Sequence, residues 1–170
     1  MKAQRILSYI LLMTVFVLNS GAGCSDKTEA PKPDNFGGII GKWKLIKTGY
    51  YFTKSDGTKV IDTYDTEPRG INIVYEYFDD GRLVVTDVTK NTKVEIRWSL
   101  KVLRGDDKGI LDGQLTQIGK EQKELAQLLG QSGDLTFGIT STPDLLFMVV
   151  DVTKTSNYQE MTLVQNFKKI

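Results

Sequence analysis

Between Lys93 and Val102 the sequence reads KVEIRWSLKV. Val94, Ile96, Trp98, Leu100 and Val102 fall on one side of an extended chain, and Lys93, Glu95, Arg97, Ser99 and Lys101 fall on the other. Successive side chains of a strand point to opposite faces, so this strict period of two specifies a strand with one dry and one wet side. The rest of the fold must supply a core for the dry side.

Other segments follow the same rule. Ile71, Ile73, Tyr75 and Tyr77 alternate in INIVYEYF, FDDGR then carries turn chemistry, and LVVTDV follows, which together predict a hairpin. Leu111, Gly113 and Leu115 alternate in ILDGQLTQI, and Leu135, Phe137 and Ile139 in DLTFGIT; Thr142-Pro143-Asp144 turns the chain before LLFMVVDV, a continuous apolar run suited to burial on both faces. Met161, Leu163 and Phe167 share one side of YQEMTLVQNF. The expected strands are 42–53, 58–64, 71–78, 82–88, 93–102, 110–118, 134–140 with 145–152, and 158–167, which is eight, or nine if the seventh is divided. In the first strand Trp43 and Leu45 share a face while Tyr50 and Phe52 lie on the opposite parity, and Gly49 marks a bulge or bend there. GKEQKELAQLLG is the exception to the β pattern. Leu125, Leu128 and Leu129 sit at helical spacing and Gly130 is a C-terminal stop, which predicts one short amphipathic helix. The strings VVTDVTKNT (84–92) and VVDVTKTS (149–156) share D-V-T-K at the ends of two expected strands, and shared turn chemistry accounts for them. The fold class is therefore all-β: an eight- to nine-stranded antiparallel up-and-down barrel with one short amphipathic helix.

Residues 1–23 are expected to lie outside that fold. Lys2 and Arg5 precede an apolar and small run from Ile6 to Leu18, and a small-residue exit leads to Cys24, the pattern of a secretory signal. The run holds 13 residues, short of the roughly 20 that a membrane-spanning helix needs. Cys24 is the sole cysteine, so no internal disulfide can form. Following Gly21-Ala22-Gly23, it resembles the acceptor cysteine of bacterial lipoproteins, in which Gly21 stands where an aliphatic residue is usual. The resemblance implies a diacylglycerol thioether and an N-terminal acyl chain, such as palmitate, on Cys24, and so a lipid-anchored place in the bacterial cell envelope, in the outer membrane. Several chains hold a protein firmly where one does not. Cleavage by an ordinary signal peptidase, leaving a free thiol, is the alternative. Residues 24–37 are polar and hold both Pro31 and Pro33, which reads as a flexible tether ahead of a barrel domain at 38–170.

Composition excludes several function classes. With 22 basic and 21 acidic residues, Lys2 and Arg5 among the former, no basic excess points to nucleic acid. The absence of histidine removes the usual general base and the commonest metal ligand, and one cysteine cannot build a zinc site. No catalytic residue, metal or cofactor is expected. The pairs Asp79-Asp80 and Asp106-Asp107 each sit beside glycine in a turn, where hairpin geometry explains them.

Gly41-Lys42-Trp43 at the head of the first strand resembles the G-x-W motif of lipocalins, and YFDDGRLVV resembles the aromatic-x-x-D-G hairpin of bacterial lipocalin-like lipoproteins; the likeness spans about residues 39–170. It implies that Trp43 plugs the closed end of the barrel while Gly41 lets the lead-in cross beneath. Lipocalins also set an arginine of the last strand against this tryptophan, and here only Lys168 or Lys169 can stand in. The implied function is a non-catalytic binding module for a small apolar or amphipathic ligand, with Tyr51, Tyr75, Tyr77, Trp98, Phe137 and Phe147 as candidate lining residues. These same side chains also serve as plain core filling. The alternative is a protein partner, as for a secreted-protease inhibitor or a cell-surface accessory subunit, met by the loops at Lys54–Gly57, Asp65–Gly70, Asp106–Gly109 and Ser141–Asp144.

Overall fold

The alternating segments become nine strands in the computed structural model, which describes residues 38–106 and 109–170. In chain order they are β1 (Gly41–Thr53), β2 (Lys59–Asp65), β3 (Ile73–Tyr77), β4 (Arg82–Asp87), β5 (Thr92–Gly105), β6 (Leu111–Ile118), β7 (Leu135–Ser141), β8 (Leu145–Asp151) and β9 (Glu160–Lys169), with helix α1 (Lys120–Leu128) between β6 and β7. All pairings are antiparallel. Neighbours pair in the order β3-β4-β5-β6-β7-β8-β9, and β1 pairs with both β9 and β3, so eight strands close into a ring and β2 is an addition to it. Closure removes the end edges that a flat sheet of these eight strands would expose, while β2, paired with β1 alone among the described strands, remains an edge strand.

β1 is the strand that shuts the ring. One of its edges runs along β9, from Trp43 opposite Lys169 to Thr53 opposite Glu160. The other edge is divided, with Gly41–Lys44 on β3 and Lys47–Thr53 on β2. Between those partners the ladder slips: Leu45 opposes Phe167 and Lys47 opposes Asn166, which leaves Ile46 as the extra residue of a bulge. Thr66, fully buried, fills the gap; its N–H donates to the Ile46 carbonyl at 3.0 Å and its hydroxyl to the Leu45 carbonyl at 2.8 Å. The bulge turns the strand over. Trp43 and Leu45 are buried on one parity, and Thr48 and Tyr50 on the other.

The parity change expected at Gly49 thus occurs at Ile46, and Gly49 has a different task. Its φ is +154°, and a Cβ placed on it would overlap the Asp62 carbonyl of β2. Gly49→Ala is therefore expected to cost about 1–3 kcal/mol, the range for forcing an atom into a filled site. Urea unfolding measures this, with lost hydrogen-exchange protection confined to β1 and β2.

The turns after β3, β5 and β7, the start of β1 and the end of β9 gather at one end of the barrel. The turns after β1, β4 and β8 and the connection through α1 lie at the other. α1 ends as Gly130 adopts φ +76° and Gln131 N–H reaches back to the Ala126 carbonyl at 2.8 Å. Its buried face is Gln122 and Ala126, continued by Leu129, while Leu125 packs partly against the core and Leu128 is exposed. The buried face is thus shifted from the expected leucine stripe, keeping Leu129 and part of Leu125 but leaving Leu128 exposed. Both D-V-T-K strings begin at strand ends: Asp87 Oδ1 accepts the Lys90 N–H at 3.1 Å, and Asp151 Oδ1 accepts the Thr153 N–H at 2.8 Å.

Candidate functional site: the barrel interior

The end at which β1 begins is sealed. Trp43 and Ile39 are both fully buried, and the indole Nε1–H donates to the Ile39 carbonyl at 2.6 Å, so the lead-in is fastened under the ring that follows it. Gly38 lies beside Ser141 at the end of β7, so the chain crosses the barrel floor before joining β9 as β1. Lys169 takes the place that the lipocalin pattern gives to arginine. Its Nζ sits 5.3 Å from the centre of the Trp43 ring, a cation held over an indole face. Gly41 adopts φ +119°, a backbone conformation that favours glycine, and a Cβ there would only touch Lys169 Cε at 3.4 Å.

Above this floor the aromatic residues meet one another. Tyr77 packs edge-on to Trp98 with ring centres 5.1 Å apart, and its hydroxyl reaches Met148 Sδ of β8 at 3.8 Å. Tyr75 packs 4.8 Å from Phe167 of β9. These contacts run from β3 across the interior to β8 and β9, so Tyr75, Tyr77 and Trp98 fill the lower barrel together. Trp98 also secures the β3–β4 turn, its Nε1–H shared between the carbonyls of Arg82 at 2.9 Å and Phe78 at 3.2 Å. Burial pushes the Tyr75 hydroxyl up to about 12 and the Tyr77 hydroxyl well above its ordinary value. Phe137 is buried on the inward parity of β7.

Two expected lining residues face away from the interior. Tyr51 is 41 % exposed between the buried Tyr50 and the inward-facing Phe52, and it pairs across the sheet with the exposed Ile61. Phe147 is half-buried on the outer parity of β8, where Leu146, Met148 and Val150 are the buried series. Cys24, the leader and the tether lie outside the described residues, as does Asp107.

Toward the other end the inward surface gains polar groups. Tyr50 on β1, Thr92 at the start of β5 and Gln117 near the end of β6 share the parity of their strands' buried residues. The Tyr50 hydroxyl, Thr92 Oγ1 and Gln117 Nε2 are buried without a hydrogen-bond partner in the protein. Burial, with Tyr64 close by, pushes the Tyr50 hydroxyl up to about 12, so it remains a neutral donor. The alternation of Leu111, Gly113 and Leu115 extends to Gln117, whereas in β1 the expected inward tyrosine is Tyr51 and not Tyr50; neither Tyr50 nor Gln117 carries a motif, and an unpartnered polar atom is visible only in three dimensions. Phe52 and Tyr158 close part of this end with ring centres 4.3 Å apart.

Two of the turn carboxylates, Asp80 and Asp106, are occupied structurally. Asp80 Oδ2 accepts Arg82 Nε at 2.7 Å and its Oδ1 accepts the Arg82 N–H, which holds the Asp80 carboxyl below its usual range. Asp106 Oδ1 accepts the Ile110 N–H at 2.9 Å. Lys42, Lys44 and Lys47, around Trp43, point outward to Glu76, Glu67 and Asp65 at 3.5–3.8 Å. Among the described residues no group of three or more Asp, Glu, His or Cys is placed to hold a metal ion. The described parts of the four loops considered for a protein partner do not share a surface: Asp106, Gly109 and 141–144 lie at the sealed end, 54–57 at the opposite end, and 65–70 at the waist where β2 gives way to β3.

The fold and interior together define a class: a closed eight-stranded antiparallel β-barrel with one added strand and one helix, consistent with a lipocalin-like fold. Comparison with protein-family models, curated proteins and solved structures finds no match to this chain.

Proposed function

We infer that this chain is a non-catalytic binding barrel of the bacterial envelope, a lipocalin-like lipoprotein held to the outer membrane through lipid on Cys24, which takes one small amphipathic molecule into the half of its interior farther from Trp43. The observation that carries the reading is the buried, unpartnered set of Tyr50 hydroxyl, Thr92 Oγ1 and Gln117 Nε2 on inward faces that also bury Thr48 and Asp87 at this end. A buried polar atom without a partner costs about 1–3 kcal/mol, so such atoms persist where solvent or a ligand completes them. All three can donate, which suits an apolar body bearing a carbonyl, carboxylate or hydroxyl head. The packed aromatic layer around Trp98 and Tyr77 would limit how deep such a molecule enters.

Native mass spectrometry of protein from its own host, together with titration of an environment-sensitive fatty-acid probe, tests this. One retained molecule or one saturable probe site is expected. Gln117→Leu and Tyr50→Phe should each weaken that site about three- to tenfold while leaving the unfolding midpoint unchanged or raised, because each removes a costly buried polar atom. A bare polypeptide mass together with no saturable binding sinks the reading.

A further inference from the structure

Exposed large apolar side chains are not spread evenly over the surface. Val102, Leu103, Ile110, Leu145 and Ile170 all lie at the sealed end of the barrel, with Leu103 61 %, Leu145 50 % and Ile170 63 % exposed. Leu103 is put outside by the β5–β6 ladder, which slips between Val102 and Arg104 and leaves it as the extra residue of a bulge. The strand ends that carry these residues adjoin one another. Gly109 lies against Pro143, the Lys169 N–H donates to the Asp144 carbonyl at 3.0 Å, and the Ile170 N–H donates to the Lys42 carbonyl at 3.0 Å. A cluster of protruding apolar residues at one pole of a soluble barrel marks a contact surface.

The described chain also begins at this pole, with Gly38 beside Ser141. From Cys24 to Gly38 is 14 residues, a span of at most roughly 50 Å fully stretched and about 20 Å as a coil. An anchor on Cys24 would therefore hold the sealed end, and not the opposite mouth, against the bilayer.

We propose that the sealed end is a membrane-seated face, with Leu103, Ile110, Leu145 and Ile170 entering the headgroup boundary of the bilayer and the mouth directed away from it. This rests on the anchoring read above. The occupant is the lipid surface rather than a protein because the tether length would concentrate this pole at a bilayer; the apolar side chains carry the contact, since exposed Lys101 and Lys168 are offset there by exposed Asp79, Asp80, Asp106 and Asp144.

The test couples the mature chain through Cys24 by a maleimide lipid to vesicles of phosphatidylethanolamine and phosphatidylglycerol, so that the tether exists whether or not a cell acylates this residue. Hydrogen exchange is then compared with the free chain. Peptides carrying Val102–Leu103 and Leu145 should gain protection, and those carrying Ile61 or Val88 should not. The double variant Leu103→Ser, Leu145→Ser, altering exposed positions, should keep the unfolding midpoint and lose that protection. Without the tether it should partition to the same vesicles about a hundredfold more weakly than the parent, roughly tenfold for each leucine. Equal exchange at the sealed end with and without vesicles, or protection at Ile61 instead, overturns the proposal. So does protection that develops without vesicles as protein concentration rises, which would assign the face to a second copy of the chain. The mass of the Cys24 peptide from the native host reads the anchor separately: an unmodified thiol removes the lipoprotein reading, while the vesicle comparison still decides the membrane face.

Discussion

Trp43→Ala is expected to destabilise the barrel by about 3–5 kcal/mol, the range for removing a buried indole from a packed interior. For a domain stabilised by roughly 5–15 kcal/mol, that is a large share of the whole. Two further losses accompany the vacated volume. The Ile39 carbonyl forfeits its 2.6 Å donor beneath the barrel, and Lys169 Nζ forfeits the ring that faces it at 5.3 Å. Trp43→Phe separates these effects, because it keeps a ring under Lys169 while removing the donor; it should cost about 1–3 kcal/mol. Lys169→Met, which keeps the aliphatic stem, should cost no more than about 1–2 kcal/mol if the charge contributes as a cation over an aromatic face. Urea midpoints of the three variants check the order Ala, then Phe, then Met. If Trp43→Ala unfolds at the parent's midpoint, the indole is not the plug that the structure makes it.

Alkaline pH is expected to have an equally large effect. The chain has no histidine, so stability should stay nearly level from roughly pH 6 to 9. Above that the buried tyrosines decide. In the unfolded chain their hydroxyls ionise near 10; in the barrel, burial raises those of Tyr50 and Tyr75 to about 12 and Tyr77 well above the ordinary value. The folded state keeps protons that the unfolded state releases, so the stabilisation is complete below 10 and is lost as pH rises through 12. Each such tyrosine removes about 1.4 kcal/mol per pH unit across that window, or about 4 for the three together. The barrel should therefore unfold cooperatively between pH 10 and 12, with tyrosinate absorbance of these residues arising together with loss of the β-sheet circular dichroism. Gradual ionisation near pH 10 with the sheet intact would place these rings in water and contradict the packed interior. Tyr75→Phe should shift the transition to higher pH.

The elements were largely legible because alternation against turn residues is a local signal. The seventh expected strand proved to be two, β7 and β8, since Thr142-Pro143-Asp144 is a complete hairpin turn. What alternation cannot supply is a reference point across an irregularity. Tyr51 was expected inside, yet one extra residue at Ile46 fixes the inward parity of upper β1 on Thr48 and Tyr50. Phe147 belongs to LLFMVV, where every position is apolar and no parity can be read; the neighbouring strands choose Leu146, Met148 and Val150 for the interior. Val102, the last member of the cleanest alternating stretch, is exposed because the β5–β6 hairpin runs beyond the packed floor. The division of one edge of β1 between β2 and β3 likewise depends on pairings between distant residues, and so does the set of unpartnered polar atoms. The lysine facing Trp43 was nameable as a pair of candidates, Lys168 and Lys169, and register selects Lys169.

The pairing of β1 with β9 joins the first strand of the domain to its last. Contacts so far apart in sequence form late, because the intervening chain must already be arranged for them to meet. A polypeptide made from its amino end is therefore an incomplete cylinder, with two bare margins, until the ten residues of β9 (Glu160–Lys169) are in place. Until then both margins are open to self-association, and loss of β9 does what a break in the middle of an ordinary sheet would do.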